Sequence, residues 1–401
     1  MTLLNGEIYI GQWKDDKLKG KGTIYYKDKN GKKYLVRYRG DFANNKYEGQ
    51  GILYDNERNY YKGSFIDGLK FGYGEEYNKD GTIKYKGNFA FGEYDDLKGK
   101  MYITNGLKYE GEFIGGTKMG NGKIYENNNL VFEGNINNNI MEGIFTFDNG
   151  NTFYGTLIDG KMNGKGLLYE NNELIYEGDF VDNIYHGKGK LFKKNGCIYE
   201  GDFVNGKYQG KGKFSLKEGG CYIGEFKEGL FNGKGQILTK EGKIEYDGHF
   251  LNNEYNGKGT EYFENGEYYD GDFVNGKKQG KGVIYYSNNN PKYNGDFVDD
   301  KFEGNGYFYE TNGDYYIGEF KNGVKEGKGM EFYKNGDIKF DGYFLNDLYE
   351  GKGTFYDGQR NYCEVNFQNG LKHGKGIVYK NGESKEITFI DDKPESNCII
   401  M

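Results

Sequence analysis

The stretch "YEGDFVNGKYQGKGKF", which runs from Tyr199 to Phe214, is one copy of a pattern that recurs along the chain. The pattern is Tyr-x-Gly-x-Phe followed by Gly-x-Gly, which begins nine residues after the first glycine. Besides fifteen copies that keep the first glycine, a degenerate sixteenth copy has Cys363, Val365 and Phe367 in the Tyr, Gly and Phe places, and a half copy follows around Phe389. Copies are mostly 23 or 24 residues apart, and this fixed period predicts one array of stacked units rather than several domains. Fifteen copies keep the first glycine: Gly11, Gly40, Gly63, Gly87, Gly111, Gly134, Gly155, Gly178, Gly201, Gly224, Gly248, Gly271, Gly295, Gly318 and Gly342.

The glycines of this pattern are not typical of a phosphate-binding loop. The units contain neither GxxxxGK[ST] nor GxGxxG, the glycine patterns that cradle phosphates at the start of a helix. A flexible linker would not keep aromatic residues at fixed places in every copy. A structural role in a repeat is therefore the better interpretation.

Two turn signals in each unit predict one β-hairpin per unit. One turn follows the Phe, as at Asn205-Gly206, and the other closes the unit, as at Asn195-Gly196. Asn and Gly accept the positive φ that tight hairpin turns require, and Tyr and Phe favour the strands between them. The predicted fold is all-β: an elongated, single antiparallel meander sheet of about sixteen stacked hairpins. The array is expected over residues 1–380, with a degenerate half-repeat cap and polar tail over 381–401.

Strand alternation assigns a face of the sheet to each residue type. In "YEGDF", Tyr199, Gly201 and Phe203 share one face, opposite Glu200 and Asp202. In the "GKGKF" that follows, the two glycines and the Phe are expected on one face and the lysines on the other. Glycine inside a strand normally weakens it, so we expect it here to leave room for an aromatic ring of a neighbouring unit.

The acidic residues and the lysines on the opposite face are placed to pair across strands. Each exposed pair adds only about 0.2–1 kcal/mol, so we expect aromatic stacking between units to supply most of the stability. The acidic places are Glu110, Asp179, Asp202, Glu225, Asp272 and Glu319, and the lysine places are Lys165, Lys188, Lys211, Lys234, Lys281 and Lys328.

The composition favours a folded repeat protein over several other classes. A mean hydropathy of −0.91 and 69 glycines suggest disorder, but 18% aromatic residues argue against it. Four cysteines without a CxxC pair and three scattered histidines predict neither a disulfide framework nor a metal site, and no cofactor is expected. The start, "MTLLNGEIYI", does not resemble a signal peptide, and no run approaches the roughly 18 apolar residues of a membrane span. We therefore expect a reduced, cytoplasmic compartment, with peripheral placement at a membrane or the cell cortex as an option.

The net charge of −7 is unevenly distributed. The first 40 residues hold ten Lys or Arg against Glu7, Asp15, Asp16 and Asp28, which is a local charge of +6. This segment is either a solvated basic edge or a contact for an anionic lipid or an acidic partner. The residues proposed for such a contact are Lys27, Lys29, Lys32, Lys33, Arg37 and Arg39.

The stretches "YEGEF…GNGKIYENN" and "YEGDF…GKGKLF" resemble MORN repeats, the membrane occupation and recognition nexus motifs. The resemblance covers roughly residues 7–380 and recurs in register over a dozen times. It implies twisted sheets of stacked hairpins with a groove lined by the Tyr and Phe of the motif. The groove residues so implied are Tyr176, Phe180, Tyr199, Phe203, Tyr222, Phe226, Tyr246, Phe250, Tyr269, Phe273, Tyr293, Phe297, Tyr316 and Phe320. The structural glycines beside them are Gly178, Gly201, Gly224, Gly248, Gly271, Gly295 and Gly318.

The chain departs from the MORN pattern in its first half. The first spacing is 29 residues, with "KDKNGKKYLVR" inserted, and the fourth unit is stretched before Gly99. The sixth and seventh units have Ile136 and Leu157 in the Phe place. We therefore expect the groove to be interrupted or bent near residues 130–165.

No catalytic residues are predicted. MORN arrays can be joined to kinase or methyltransferase domains, but here the repeats take up the chain. His186 and His373 each precede a motif glycine and are expected in turns. Four acidic pairs resemble solvated turns rather than catalytic dyads: Asp15-Asp16, Asp95-Asp96, Asp299-Asp300 and Asp391-Asp392.

The resemblance to MORN-only proteins implies a non-enzymatic scaffold. Such proteins bind extended partners (a helix, a peptide or a cytoskeletal component) at the cortex or cytoskeleton, and several dimerise, so a homodimer is expected. The alternative is a peripheral phospholipid-binding module, although an acidic chain suits anionic lipid poorly. A nucleic-acid binder would interleave basic residues with the aromatics, and a secreted wall-binding repeat would be rich in Trp, whereas Trp13 is the only Trp.

The last four residues, "CIIM", match a prenylation box with Cys398 as the lipid attachment site. They follow the polar segment "DDKPESN". A single prenyl chain anchors weakly, so membrane binding would need a second contact. The alternative is a chance tail, as in a bacterial cytoplasmic protein, because bacteria lack the transferase.

Overall fold

The computed structural model describes residues 1–3, 5–359 and 361–395 and divides into two compact units, Met1–Phe192 and Lys193–Met401. Within each unit, strands that follow one another in sequence pair antiparallel, which confirms the predicted all-β meander of hairpins. The first unit contains β1 (Ile8–Lys14), β2 (Lys17–Lys27), β3 (Tyr34–Ala43), β4 (Lys46–Tyr54), β5 (Tyr60–Ile66), β6 (Leu69–Tyr77), β7 (Ile83–Ala90), β8 (Glu93–Tyr94), β9 (Asp96–Tyr102), β10 (Leu107–Ile114), β11 (Thr117–Glu126), β12 (Asn129–Asn137), β13 (Ile140–Thr146), β14 (Thr152–Ile158), β15 (Lys161–Glu170), β16 (Glu173–Val181) and β17 (Ile184–Phe192). The second unit contains β18 (Ile198–Val204), β19 (Lys207–Ser215), β20 (Cys221–Lys227), β21 (Leu230–Leu238), β22 (Ile244–Leu251), β23 (Glu254–Tyr262), β24 (Tyr268–Val274), β25 (Lys277–Tyr285), β26 (Pro291–Val298), β27 (Lys301–Tyr309), β28 (Tyr315–Lys321), β29 (Val324–Phe332), β30 (Ile338–Leu345), β31 (Leu348–Tyr356), β32 (Tyr362–Gln368), β33 (Leu371–Lys380), β34 (Glu383–Ile390) and β35 (Lys393–Pro394). The short strand β8 is an exception to the meander, since β9 also pairs with β7, and a 3-10 turn over Thr104–Gly106 joins β9 to β10.

The hairpin turns are of two kinds. In the turn after the Phe, both central residues have positive φ, 50° at Asn205 and 78° at Gly206, as a type I′ turn requires. In the turn that closes a unit, Gly196 has a φ of 83°, and the Oδ1 of Asn195 accepts a hydrogen bond from the backbone N of Cys197 at 3.2 Å. Both predicted turns are present, but Asn contributes positive φ to the first and a side-chain acceptor to the second.

One glycine from nearly every strand aligns in a row that crosses the sheet. Gly201 lies opposite Gly212, which lies opposite Gly224 on the next strand. Val365 takes the glycine's place in β32, opposite Gly353. The row follows from the period of the sequence, because each hairpin repeats the same register.

The first glycine of each Gly-x-Gly lies at a β-bulge. The pairing of β18 with β19 shifts between Gly201 and Asp202, and Gly210 has a φ of 62°. A Cβ built on Gly210 would lie 3.0 Å from the Asp202 carboxylate, on the face opposite Tyr199. The expectation that Gly210 shares the face of Gly212 is wrong, because the left-handed conformation at the bulge reverses its direction.

Strand pairing continues through residues 130–165, the range where the groove was expected to be interrupted or bent. Gly134 pairs with Gly143 and Gly143 with Gly155, without a register shift. Ile136 and Leu157 are buried in the Phe place. The backbone ladder is therefore unbroken there, since aliphatic side chains fill the same position.

Two minor expectations about polar residues need correction. His186 and His373 lie in β17 and β33 rather than in turns. Three of the four acidic pairs lie at hairpin turns, but Asp96 begins β9, where its carboxylate accepts a hydrogen bond from the backbone N of Asn88 at 2.6 Å. These residues take structural places in the repeat.

Candidate interaction surfaces

The face that carries the motif Tyr and Phe, called here the inner face, is built on contact between a tyrosine and two glycines. A Cβ on Gly201 would lie 2.5 Å from the hydroxyl of Tyr199, and a Cβ on Gly212 would lie 2.7 Å from its Cε2. The Tyr199 hydroxyl donates a hydrogen bond to the backbone O of Asp202 at 2.8 Å. The ring over this glycine pair therefore comes from the same repeat, not from a neighbouring repeat as expected, because the residue two before the first glycine folds across both glycines.

Phenylalanines join Tyr199 and most of the other motif tyrosines to the next repeat. The Tyr199 ring meets the edge of Phe203 in its own unit, with centroids 5.1 Å apart, and of Phe226 in the next, at 5.0 Å. Burial raises the pKa of the Tyr109 phenol to about 12, and its hydroxyl donates a hydrogen bond to the backbone O of Glu112 at 3.0 Å.

The fourteen predicted groove aromatics are buried in these contacts, and each is at most 5% exposed. They form the core of the array rather than the wall of an accessible groove, because a second layer covers them. The prediction that their side chains line a binding groove is therefore corrected. These residues are Tyr176, Phe180, Tyr199, Phe203, Tyr222, Phe226, Tyr246, Phe250, Tyr269, Phe273, Tyr293, Phe297, Tyr316 and Phe320.

The second layer comes from the residue five positions after each Phe. Tyr208 stacks on Tyr199 with centroids 3.8 Å apart. In other repeats a lysine takes this place, and Lys325 lies 4.8 Å from the ring centroid of Tyr316. From residue 255 to 372 aromatic residues and lysines alternate, so the second unit has a period of two repeats over this range: Tyr255, Lys278, Phe302, Lys325, Tyr349 and Lys372.

Two lysines of the second layer, Lys325 in the second unit and Lys70 in the first, each pair with a half-buried carboxylate in the same arrangement. Glu331 accepts from Lys325 at 2.7 Å and from the Tyr349 hydroxyl at 2.6 Å, and Lys339 lies 3.5 Å away. Burial by itself would raise the pKa of Glu331, but the two lysines and the tyrosine outweigh it and hold that pKa below its usual value. In the first unit Lys70, Lys84 and Tyr94 surround Glu76 at the same sequence spacing.

The opposite face, called here the outer face, carries the predicted ion pairs between successive repeats. Lys165 lies 3.3 Å from Asp179, and Lys281 lies 2.7 Å from Asp296. These contacts confirm the cross-strand pairing for part of the set, whereas Lys234 faces His249 and Lys328 faces Tyr343.

A stripe of aliphatic side chains lies at the hairpin tips on the outer face, and we call it the tip stripe. Val204, for example, follows the buried Phe203 and so points away from the core. The tip stripe of the second unit is 37–48% exposed and comprises Val204, Leu230, Leu251, Val274, Val298, Leu345, Leu348, Leu371 and Ile390. In the first unit it comprises Ile66, Leu69, Ile114, Ile140, Ile158, Val181 and Ile184. Sequence reasoning missed this stripe, although an aliphatic residue after the Phe of "YEGDFV" was its signal.

Comparison with protein-family models assigns the repeat. The MORN repeat model matches fourteen stretches that together cover more than half of the chain: residues 9–31, 38–57, 61–83, 109–129, 153–172, 176–198, 199–221, 222–240, 246–268, 269–290, 293–315, 316–338, 340–360 and 366–384. The chain is a MORN-repeat protein. A search of curated proteins found no match.

The MORN matches leave out two hairpins that the structure contains. These are the repeat of Tyr85, which has the stretched spacing before Gly99, and the repeat of Phe132, which has Ile136 in the Phe place. Membership in the MORN family places the chain among repeat proteins of membrane or protein interaction. Across residues 1–3, 5–359 and 361–395, no helix is long and apolar enough to cross a membrane, and no group of three His, Cys, Asp or Glu is arranged to hold a metal.

The predicted basic contact is only partly available in this MORN array. Lys27, Lys29, Lys32 and Lys33 are exposed in and beside the loop between β2 and β3. Arg37 instead pairs with Glu7 at 2.7 Å and lies over the Tyr26 ring, whereas Arg39 is exposed. Cys398, the predicted lipid attachment site, lies outside the described residues.

Proposed function

We propose that this MORN-repeat protein is a non-enzymatic scaffold that binds an extended protein partner along its hairpin tips. The observation that supports this is the tip stripe, which presents a half-exposed aliphatic residue in repeat after repeat. Rows of exposed apolar residues rimmed by polar ones are typical of protein-binding surfaces. A repeating surface suits a partner that is itself long: a helix, a peptide or a cytoskeletal component.

The repeats support a scaffold more than an enzyme. MORN matches run from residue 9 to residue 384, so the sequence in hand is almost entirely array. The family resemblance favours a cortical or cytoskeletal partner and a homodimer, and both belong to this proposal.

Capture from native cells tests the tip stripe. The full chain is compared with the L251S/V274S/V298S variant and with a control, K211S/K234S/K258S, which changes outer-face lysines of nearby strands. We expect the captured amount of at least one partner to fall tenfold or more with the tip variant and to be unchanged with the control. Equal partner profiles for all three proteins would contradict the proposal.

A second candidate function, peripheral membrane binding, is favoured by four lysines in and beside the β2–β3 loop. They are exposed, and the structure describes no ion pair for Lys27, Lys29, Lys32 or Lys33. Such a cluster attracts anionic headgroups at about 1 kcal/mol per basic residue near the surface. Prenylation at Cys398 would supply the second signal that stable attachment requires.

A further inference from the structure

A shallow trough of about 550 Å³ lies on the outer face of β29–β34. Its floor is backbone, because Gly342, Gly353 and Gly376 carry no side chain there. The side chain of Val365, the fourth floor residue, is buried toward the inner face, where a Cβ on Gly376 would lie 2.7 Å from it. The walls are charged: Lys328, Lys352 and Lys375 on one side, Asp341, Glu364 and Glu386 on the other.

The wall charges lack the partners that other repeats provide. In several other repeats the lysine of Gly-x-Gly pairs with the acid of the next repeat, as Lys258 does with Asp272 at 2.9 Å. In the trough the facing residues are Tyr343, Asn366 and Thr388. Among the described residues, none of the six wall charges has an ion-pair partner within 4.0 Å. The trough therefore presents three free cations and three free anions.

The two signs are sorted onto opposite walls. The lysines lie on β29, β31 and β33, and the carboxylates lie on β30, β32 and β34. Neighbouring strands are about 4.8 Å apart, so like charges recur every ~9.6 Å along a wall and opposite charges are offset by about 4.8 Å. A polyanion such as a nucleic acid or an anionic membrane would be repelled by the carboxylate wall.

This spacing is close to that of an α-helix. A rise of about 1.5 Å per residue separates positions i and i+7 by roughly 10.5 Å, and positions i and i+3 or i+4 by roughly 4.5–6 Å. We propose that the trough binds a helix of a partner protein that carries one acidic residue per heptad and one basic residue three or four positions later. Its acids pair with the lysine wall and its bases with the carboxylate wall, and the glycine floor lets the helix approach the sheet. This site uses residues distinct from the tip stripe, so each proposal can fail without the other.

Two synthetic peptides of one composition test the helix. Both are 21-residue, alanine-based helices with one Glu and one Lys in each of three heptads. In the sorted peptide each Lys follows its Glu by four positions, and in the control the two are exchanged in the middle heptad only. Fluorescence anisotropy with the full chain at low ionic strength should show at least tenfold tighter binding of the sorted peptide, weakening as salt is added. Equal affinities for the two peptides would overturn the proposal.

Two charge variants of the full chain locate the binding. K328E/K352E/K375E reverses the lysine wall, and K211E/K234E/K258E makes the same charge change in earlier repeats. The wall variant should bind the sorted peptide no better than the control peptide, and the earlier variant should bind it within threefold of the original chain. Equal losses in both would show an effect of net charge and overturn the site. Sedimentation tests whether the chain associates with itself. If it does, if the wall variant does not, and if neither peptide binds, then the trough binds a second copy of the chain and the helix proposal is overturned. Circular dichroism confirms that each variant is folded.

Discussion

At the scale of single residues, the Tyr and the Gly of the motif depend on each other. The Tyr199 ring occupies the space that a side chain on Gly212 would need, and together with the facing Gly212 Cα and Lys211 O it fills the space beside Gly201. The sixteenth unit supports this dependence, because it lacks both partners: Cys363 replaces the Tyr and Val365 replaces the Gly. In this repeat, which has no ring in the Tyr place, the larger side chain of Val365 is accommodated and buried.

This dependence predicts a coupling that a double-mutant cycle can measure. G201V alone should destabilise the chain by about 1–3 kcal/mol through overpacking against Tyr199. Y199C alone should cost about 3–5 kcal/mol, as other large-to-small core changes do. The double variant, which copies the sixteenth unit, should be less destabilised than the sum of the two by at least about 1 kcal/mol. Urea unfolding provides the measurement, and K213V, on the exposed outer face, should change the stability by less than about 0.5 kcal/mol. Strict additivity would show that the ring and the glycine do not share this space.

The residue scale also shows what a sequence alone can and cannot predict. The assignment of Tyr199, Gly201 and Phe203 to one face follows from strand alternation, which is local. The direction of Gly210 could not be predicted, because its left-handed φ at the bulge depends on pairing with β18. The burial of Phe203 could not be predicted either, because it depends on contact with Tyr208. Tyr208 lies five residues later in the sequence and reaches Phe203 only when the hairpin closes.

At the scale of the hairpin, each element is tied to the next by side chains as well as by strand pairing. The Oδ1 of Asp347 accepts from the backbone N of Lys325 at 2.8 Å, and Glu326 accepts from the backbone N of Asn346 at 3.2 Å. Lys325 also holds Glu331 on its own strand, and Glu331 accepts from Tyr349 on β31. A defect in one hairpin should therefore weaken its neighbours, as in other repeat arrays.

The Glu331 contact predicts a pH dependence of stability. The folded-state pKa of Glu331 lies below the unfolded-state value of about 4.3. Its ionisation therefore stabilises the folded chain above pH ~4.3, and this contribution is lost as the pH falls through the folded-state pKa. E331Q should cost roughly 1–3 kcal/mol at pH 7, because it leaves the half-buried Lys325 without its carboxylate.

The measurement is urea unfolding between pH 7 and pH 3. The loss caused by E331Q should shrink at the acid end, where Glu331 of the unsubstituted chain is itself protonated. The matched control is E264Q, at an exposed carboxylate, which should change stability little at any pH. If E331Q lowers the free energy of unfolding by the same amount at every pH from 7 to 3, the charge of Glu331 does not stabilise the fold.

At the scale of the whole chain, charge is separated along the sequence. The first 40 residues carry a net +6, while the chain carries −7. Of the six residues predicted to contact an anionic surface, Arg37 is the least available, because it forms an ion pair with Glu7 and lies over the Tyr26 ring. The lysines of the β2–β3 loop remain exposed, so any binding to an anionic surface should depend on them and not on Arg37.

The last prediction concerns that surface. In flotation with phosphatidylserine-containing vesicles at physiological salt, replacing Lys27, Lys29, Lys32 and Lys33 by Ser should reduce the vesicle partition coefficient of the farnesylated chain at least tenfold. The reduction follows from the loss of about 1 kcal/mol for each basic residue that reaches the surface. R37S should leave the partitioning within twofold while lowering stability, since its guanidinium serves an internal ion pair. C398S, which removes the predicted farnesyl site, should also weaken binding, because one lipid chain and one basic cluster are each marginal anchors. If the four-lysine variant binds as well as the unsubstituted chain, the basic loop is a solvated edge, and the scaffold function retains its support from the tip stripe.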